Sequence, residues 1–166
     1  ENRDKIIVAY NRRFYETVSK LKKFVDITDC GILYVNIPDN PSTIRQYLVN
    51  SCHLIDLARY ILREVSIDHS SVINNNDGSV AGIASIGHSN LKNWTVLFQC
   101  SWSTPDNFSI KASSSGYTYE LKPIECLSVY DKMEVKEPSA EVPIRIYTPK
   151  KHLEMYEVAN LKPGFY

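Results

Sequence analysis

His53 is the residue in this sequence best suited to proton-transfer chemistry. It stands near the start of NSCHLIDLARYILRE (residues 50–64), whose apolar residues have the spacing of an amphipathic helix. A histidine can take up and release a proton near neutral pH, as general acid–base catalysis requires. Asn50, three residues earlier, could hold a hydroxyl group of a substrate. From this segment alone, a helix N-terminal histidine that is hydrogen-bonded to the backbone is the more common case.

The neighbours of His53 have candidate roles of their own. Asp56 lies one helical turn further on, so its carboxylate could orient the imidazole, but we favour a first-turn carboxylate stabilised by the helix dipole. Ser51 is the predicted N-cap, because its hydroxyl can accept a hydrogen bond from a free N–H of the first turn. Cys52 is a poor candidate nucleophile, because a residue adjacent in sequence rarely places a base in suitable geometry.

A second polar group lies near the N-terminus, between a strand-like segment (6–10) and a predicted helix (14–26). It consists of Tyr10, Asn11, Arg12 and Arg13. An arginine at such a junction can pair with a carboxylate or phosphate of a ligand. A salt bridge between two domains is an equally good interpretation for each arginine. We therefore treat all four residues as candidate substrate-binding residues.

Composition excludes several classes of function. Lys plus Arg and Asp plus Glu balance at 19 each, so net charge gives no case for nucleic acid or for a membrane surface as a partner. The four cysteines form no C-x-x-C pair, which favours reduced thiols and a cytoplasmic protein. The other histidines are scattered, so we expect no metal site. These histidines are His69, His88 and His152.

The elements that must position these residues predict an α+β fold. Helices are expected at 14–26 and 51–65, with Phe14, Val18, Leu21 and Val25 on the buried face of the first. Strands are expected at 30–38, 80–88, 93–103, 108–112, 117–121, 124–130 and 143–147. Residues 152–161 read as a short helix or loop. Two helices followed by four to six antiparallel strands predict a large open sheet with the helices packed on one face.

Trp94 and Trp102 fall on the same apolar face of the strand predicted at 93–103. Residues in this position are most often core or interface, although a platform that stacks against a sugar is an alternative.

Three stretches together resemble the C-terminal domain of the glucose–fructose oxidoreductase / inositol dehydrogenase / MocA family. They are IIVAYNRRFYETVSKLKKFV (6–25), NSCHLIDLARYIL (50–62) and the late strands from residue 119 to the end. The resemblance rests on Y-N-R-R-F and H-x-x-D-L in this order and spacing. It implies that residues 1–13 are the end of a dinucleotide domain and the junction, and that 14–166 form a substrate-binding and oligomerisation domain.

The resemblance also implies a function. His53 would be the catalytic acid/base of an NAD- or NADP-dependent oxidoreductase acting on a sugar or nucleotide sugar, in carbohydrate or polysaccharide biosynthesis. The cofactor would bind to a Rossmann domain outside this chain, since no G-x-G-x-x-G occurs in it. The family's E-K-P lysine would also fall before Glu1. We therefore expect the chain by itself to be inactive and to form a homo-oligomer through the open sheet face.

One departure from the family pattern supports a rival interpretation. Dehydrogenases of this family commonly carry an aspartate four residues before the histidine, and here that position is Val49. Asn50 is the nearest polar substitute. The rival is a non-catalytic binding or dimerisation module that keeps the sheet and has lost the chemistry.

Overall fold

The computed structural model describes residues 10–38, 51–101 and 104–157. A 3-10 turn, Asn11–Phe14, leads into the first of two described helices. The helices are α1 (Glu16–Ile27) and α2 (Cys52–Leu62). The strands are β1 (Cys30–Ile37), β2 (Val65–Asn74), β3 (Val80–Ser89), β4 (Asn93–Ser101), β5 (Ser109–Ser114), β6 (Tyr117–Leu121), β7 (Cys126–Lys136) and β8 (Ile146–Tyr156).

All eight strands form one sheet in the order β2-β3-β4-β1-β5-β6-β7-β8. Every neighbouring pair is antiparallel except β1 and β4, which run parallel. Both helices pack on one face, and the other face is open. The predicted α+β class with a mainly antiparallel open sheet is therefore confirmed, with more strands than the sequence indicated.

Apolar spacing explains which side of each helix is buried. In α1, Val18, Leu21 and Val25 are buried, as predicted. Phe14 is 67% exposed, so its assignment to this face was wrong. It belongs to the preceding 3-10 turn, whose residues do not continue the helical face.

The buried residues of α2 meet those of α1 and the sheet in one core. Those of α2 are Leu54, Leu57, Ala58, Ile61 and Leu62. Phe24 of α1 stacks on Tyr119 of β6 with ring centroids 4.1 Å apart, and Trp94 of β4 is buried beneath the same phenylalanine. Trp94 is thus a core residue, whereas Trp102 lies outside the described residues. Neither described helix has the length and apolarity that a membrane crossing requires.

Two strands differ from the sequence-based expectation. Residues 65–74 form β2, which we did not predict because its side chains are mostly polar and exposed. Residues 146–156 form a single strand, β8. The strand expected at 143–147 therefore begins three residues later. The helix or loop expected at 152–161 was wrong for residues 152–156, which belong to this strand. β8 pairs along its whole length with β7, and this tertiary pairing overrides weak local propensity.

Candidate functional site

The 3-10 turn is tied to α2 by an ion pair. Nε of Arg13 donates to Oδ2 of Asp56 over 2.7 Å, and the terminal guanidinium nitrogen donates to Oδ1. The guanidinium carbon also lies 5.4 Å from the ring centroids of Tyr10 and Tyr60. Both proposed roles for Asp56 are therefore wrong: its carboxylate neither orients the imidazole nor lies in the first turn of α2.

His53 lies on the same side of α2, half-buried beside Tyr10. The two rings meet edge to face, with centroids 5.9 Å apart. Nδ1 of His53 is buried and has no hydrogen-bond partner among the described residues. A buried ring nitrogen without a hydrogen bond is unfavourable, so this atom is available for a further hydrogen bond in the part of the chain that the structure describes.

The electrostatic surroundings of His53 favour a neutral imidazole. Burial lowers its pKa, and the positive charge of Arg12 lowers it further, while Asp56 acts weakly in the opposite direction. A neutral imidazole near neutral pH can accept a proton. The lowered pKa therefore favours the neutral form of the His53 ring.

Polar side chains around this ion pair line an open cleft of about 370 Å³. Its lining residues are Tyr10, Arg13, Asp56, Arg59, Tyr60 and Arg63. Three arginines and one carboxylate line the cleft, and Arg63 also lies 3.7 Å from the Asp26 carboxylate, so the excess of positive charge rests mainly on Arg59.

The structure brings together most, but not all, of the predicted site residues. Tyr10 contacts His53, Arg12 lies near enough to lower its pKa, Arg13 pairs with Asp56, and Asn11 lies in the same turn. Asn50 lies outside the described residues, as does the neighbouring position 49. Whether any of these residues contacts a substrate stays a prediction.

Ser51 occupies the N-cap position but makes no capping hydrogen bond from its side chain. Its backbone is already helical, with φ −62° and ψ −29°, whereas a capping residue usually has an extended backbone. The predicted cap was therefore wrong.

Tyr60 and Arg59 belong to the site but were missed in the sequence. Tyr60 follows His53 by seven residues and Asp56 by four, which places all three on one face of a helix. That spacing was a usable signal. Among the residues that the structure describes, no cluster of His, Cys, Asp and Glu side chains could hold a metal ion.

The open sheet face carries both polar and apolar side chains. The Tyr34 hydroxyl donates to Oε1 of Gln99 over 2.5 Å, and Asn36 donates to Asp106 over 3.0 Å. Ile32 and Ile86 on this face are 50% and 42% exposed. Large apolar side chains left uncovered on a sheet indicate a contact surface.

Comparisons with protein-family models and with curated proteins find no match. Solved structures share the fold. The dehydrogenase MviM from Clostridium difficile matches with a TM-score of 0.61 at 12% identity, over 86% of this chain and 45% of that one.

Two further structures show the same likeness. A super-repressor mutant of Gal80p from Saccharomyces cerevisiae has a TM-score of 0.58 at 14% identity, over 89% of this chain and 47% of its own. KijD10, a 3-ketoreductase from Actinomadura kijaniata solved with NADP, has a TM-score of 0.56 at 8% identity, over 84% and 46%. The chain thus spans a little under half the length of these proteins and shares the fold of the part that it matches. This likeness agrees with the resemblance of the sequence to the C-terminal domain of the glucose–fructose oxidoreductase / inositol dehydrogenase / MocA family.

Proposed function

We propose that this chain is the substrate-binding and oligomerisation domain of an NAD(P)-dependent oxidoreductase that acts on a sugar or nucleotide sugar. In this proposal residues 1–13 end the dinucleotide domain and form the junction, and 14–166 form the second domain. The observation that carries the proposal is that Tyr10 and Arg12 lie close to His53, whose buried Nδ1 has no hydrogen-bond partner among the described residues. The fold shared with dehydrogenases and a ketoreductase supports it.

The chemistry assigned to this chain is the transfer of one proton. Oxidation of a secondary alcohol to a ketone requires removal of the hydroxyl proton, and a ring nitrogen of neutral His53 accepts it. Burial and, after it, the charge of Arg12 lower the pKa of His53, which favours the neutral ring that can act as a base. The Arg13–Asp56 pair acts indirectly, by holding the 3-10 turn and hence Tyr10 and Arg12 in position against α2.

The described residues do not themselves fit a dinucleotide. Gly78 and Gly116 lie in turns between strands, and the other described glycines lie within strands, so none opens a helix as a phosphate-binding turn does. The cofactor, NAD or NADP, would be held by a domain outside this chain. KijD10 was solved in a complex with NADP, which supports this choice of cofactor.

The positive cleft beside His53 favours a substrate with an anionic group. Arg13 is balanced by Asp56, and Arg63 lies 3.7 Å from Asp26. Arg59 also lines the cleft and forms no ion pair among the described residues. Arginine is well suited to binding phosphate through paired hydrogen bonds. KijD10, which binds TDP-benzene, is a structural neighbour with a nucleotide ligand. A nucleotide-linked sugar is therefore the first substrate class to test, consistent with a role in polysaccharide biosynthesis in the cytoplasm.

The open sheet face is assigned to self-association. It exposes Ile32 and Ile86 on the side opposite the helices and leaves most of the sheet uncovered. A homo-oligomer would bury this face against the same face of a second copy.

The test is turnover by the intact protein with a panel of sugars and nucleotide sugars, followed by absorbance of the reduced nicotinamide. We expect His53→Ala to reduce kcat by at least about a hundredfold, the usual contribution of a general base. His69→Ala, an exposed histidine on β2, is the matched control and should retain full activity. Equal activity in the His53→Ala and control proteins would refute the catalytic role.

A second candidate is a non-catalytic binding or dimerisation module on the same fold. It is favoured by the absence of a carboxylate hydrogen-bonded to His53 among the described residues, because Asp56 is engaged by Arg13. The fold shared with the super-repressor mutant of Gal80p also supports it. Saturable binding of a nucleotide sugar without turnover in the presence of NAD or NADP would favour this candidate.

A further inference from the structure

Arg63, the residue that follows α2, has a backbone conformation that arginine rarely adopts. Its φ is 69° and its ψ is −64°, and the backbone N–H of Glu64 donates to the carbonyl of Leu62 over 3.0 Å. These angles and this hydrogen bond define the rare, strained form of the γ-turn. A side chain at positive φ is unfavourable, and glycine is the residue that avoids this cost. An arginine at this position is therefore a departure from what stability alone would favour.

The β3–β4 hairpin holds both neighbours of Arg63 in place. The Ser89 hydroxyl donates to the Leu62 carbonyl over 2.9 Å, and the backbone N–H of Asn90 donates to the Glu64 carbonyl over 3.1 Å. Strained backbone persists where the surrounding structure determines it in this way, and such positions are concentrated at functional sites. The turn is thus fixed by backbone and Ser89 contacts that do not involve the side chain at position 63.

An ion pair within the chain does not account for the arginine. A terminal guanidinium nitrogen of Arg63 lies 3.7 Å from Oδ1 of Asp26, which is beyond hydrogen-bonding distance. The same carboxylate has two nearer cations, with Nζ of Lys22 at 2.7 Å and Nζ of Lys92 at 2.9 Å. Because the Arg63 side chain is 59% exposed, its pairing with this shared carboxylate contributes little to stability. The guanidinium retains its capacity to bind another anion.

The Arg63 side chain lines the positive cleft beside His53, together with Arg59. The two arginines are four residues apart, so they lie on the same side of α2. Arg59 forms no ion pair among the described residues, and Asp56, the one carboxylate in the described lining of the cleft, is engaged by Arg13. Two guanidinium groups at one end of the cleft are therefore left for a ligand.

The length of the cleft fits an extended ligand. At about 1.5 Å per residue, Arg59 lies about 9 Å from His53 along the helix axis, and Arg63 about 15 Å. Tyr10 contacts His53 and lines the same cleft as both arginines, so the cleft continues from one end to the other. A sugar ring beside His53 that carries a diphosphate would place its phosphates at the end where the arginines lie.

We propose that Arg59 and Arg63 form a clamp for the diphosphate of a nucleotide sugar, and that the strained turn is retained because it directs the Arg63 guanidinium into the cleft. The inference rests on the function proposed above and adds the residues that select a nucleotide-linked sugar over a free sugar. Two guanidinium groups can bind two phosphates through paired hydrogen bonds, because the donors of each are fixed in one plane. Stability and binding are therefore opposed at position 63.

The first test measures the stability of two variants of the intact protein by urea unfolding. Arg63→Gly removes both the guanidinium and the strain, whereas Arg63→Ala removes the guanidinium and keeps a side chain at positive φ. We expect Arg63→Gly to unfold at a higher urea concentration than Arg63→Ala, and at no lower concentration than the unmodified protein. Earlier unfolding of Arg63→Gly than of Arg63→Ala would show that the turn is not strained and would overturn the argument.

The second test measures anion binding by calorimetry, with thymidine diphosphate and inorganic pyrophosphate as probes. Pyrophosphate carries the two phosphates without the base. We expect Arg63→Gly and Arg59→Ala each to weaken binding of both probes at least about tenfold, because each removes charged hydrogen bonds to phosphate. Arg145→Ala is the matched control, since Arg145 is an exposed arginine that pairs with Glu137 outside the cleft, and it should leave affinity within about twofold. Equal affinity in the clamp variants and the control would overturn the clamp, as would the absence of saturable binding to the unmodified protein.

Steady-state kinetics of the intact protein separate the clamp from the proposed oxidoreductase function. Arg63→Gly should raise KM for a nucleotide sugar far more than it lowers kcat, because the clamp lies away from the reacting atoms. A rise in KM for NAD or NADP alone would assign the arginines to the phosphates of the cofactor and overturn their assignment to the substrate. If His53→Ala abolishes turnover and Arg63→Gly changes no KM, the oxidoreductase function stands and the clamp is wrong. If Arg63→Gly weakens diphosphate binding and His53→Ala retains full turnover, the clamp stands and the catalytic role of His53 is wrong.

Discussion

Replacing Arg13 with methionine should destabilise the domain more than replacing its partner Asp56 with asparagine. The two residues form a single ion pair, but their exposure differs. The Asp56 side chain is only 10% exposed, whereas the Arg13 side chain is 37% exposed. Methionine keeps an apolar side chain of similar length and removes the guanidinium, together with its contacts to the rings of Tyr10 and Tyr60.

The magnitude follows from the charge that each change leaves behind. Arg13→Met leaves a nearly buried carboxylate without its cation, and losses of about 3–5 kcal/mol are typical when one partner of a fully buried pair is removed. Because Arg13 reaches solvent, we place the loss at the lower end, about 3 kcal/mol. Asp56→Asn leaves a guanidinium that can turn into water, so it should lose about 1.5 kcal/mol, the value of one hydrogen bond to a charged group.

Urea unfolding, followed by the fluorescence of buried Trp94, measures both losses. In thermal unfolding the Arg13→Met change corresponds to a fall in Tm of about 6–12 °C for a domain of this size. The double variant should cost less than Arg13→Met alone, because it leaves no unpaired buried charge. The slope of unfolding free energy against urea concentration should be the same in the variants and the unmodified protein, which would show that the variants differ in stability and not in the surface exposed on unfolding.

Two results would refute this reasoning. If both single variants lose less than about 0.5 kcal/mol, the pair behaves as an exposed surface ion pair. If Asp56→Asn is the more damaging change, the guanidinium and not the carboxylate is the poorly solvated partner.

Three further predictions concern pH and packing. Because the pKa of His53 is lowered in the folded protein, the unfolded chain binds this proton more readily, and the free energy of unfolding should fall as pH decreases through about 6.5. His53→Gln should remove this part of the fall, as measured by urea titrations between about pH 8 and pH 5.5. Gly31→Ala should cost about 1–3 kcal/mol by overpacking, because a Cβ at this position would lie 2.6 Å from the Trp94 ring; a Tm equal to that of the unmodified protein would contradict it. Asp26→Asn should lower the free energy of unfolding in urea by about 1 kcal/mol, because the Asp26 carboxylate bridges Lys92 and Lys22 at the end of α1. If the same loss persists at a pH low enough to protonate aspartates, its cause is not the charge.

Local sequence signals were sufficient where a single element decides the outcome. The apolar spacing of 3.6 residues located α1 and α2, and alternation located β4 with Trp94 turned inward. Both signals depend only on which side of one element meets water. The open, mainly antiparallel sheet with helices on one face followed from the order of these elements.

Sequence reasoning failed where pairing with a distant segment decides the conformation. β2 is largely polar and exposed, and it is a strand because β3 pairs along it. β8 contains a segment that reads locally as helix or loop, yet β7 holds it extended over eleven residues. Local propensity contributes little when one ladder satisfies the backbone hydrogen bonds of a whole strand.

The candidate site divides in the same way. The sequence by itself determined that His53, Tyr10, Arg12 and Arg13 are candidate catalytic or substrate-binding residues, because proton transfer and anion binding depend on residue type. Only the tertiary structure decided that Arg13 pairs with Asp56 and that burial, with Arg12 nearby, lowers the pKa of the His53 imidazole. Partner choice and pKa depend on distances and burial between segments more than forty residues apart, which are fixed only when the 3-10 turn packs against α2.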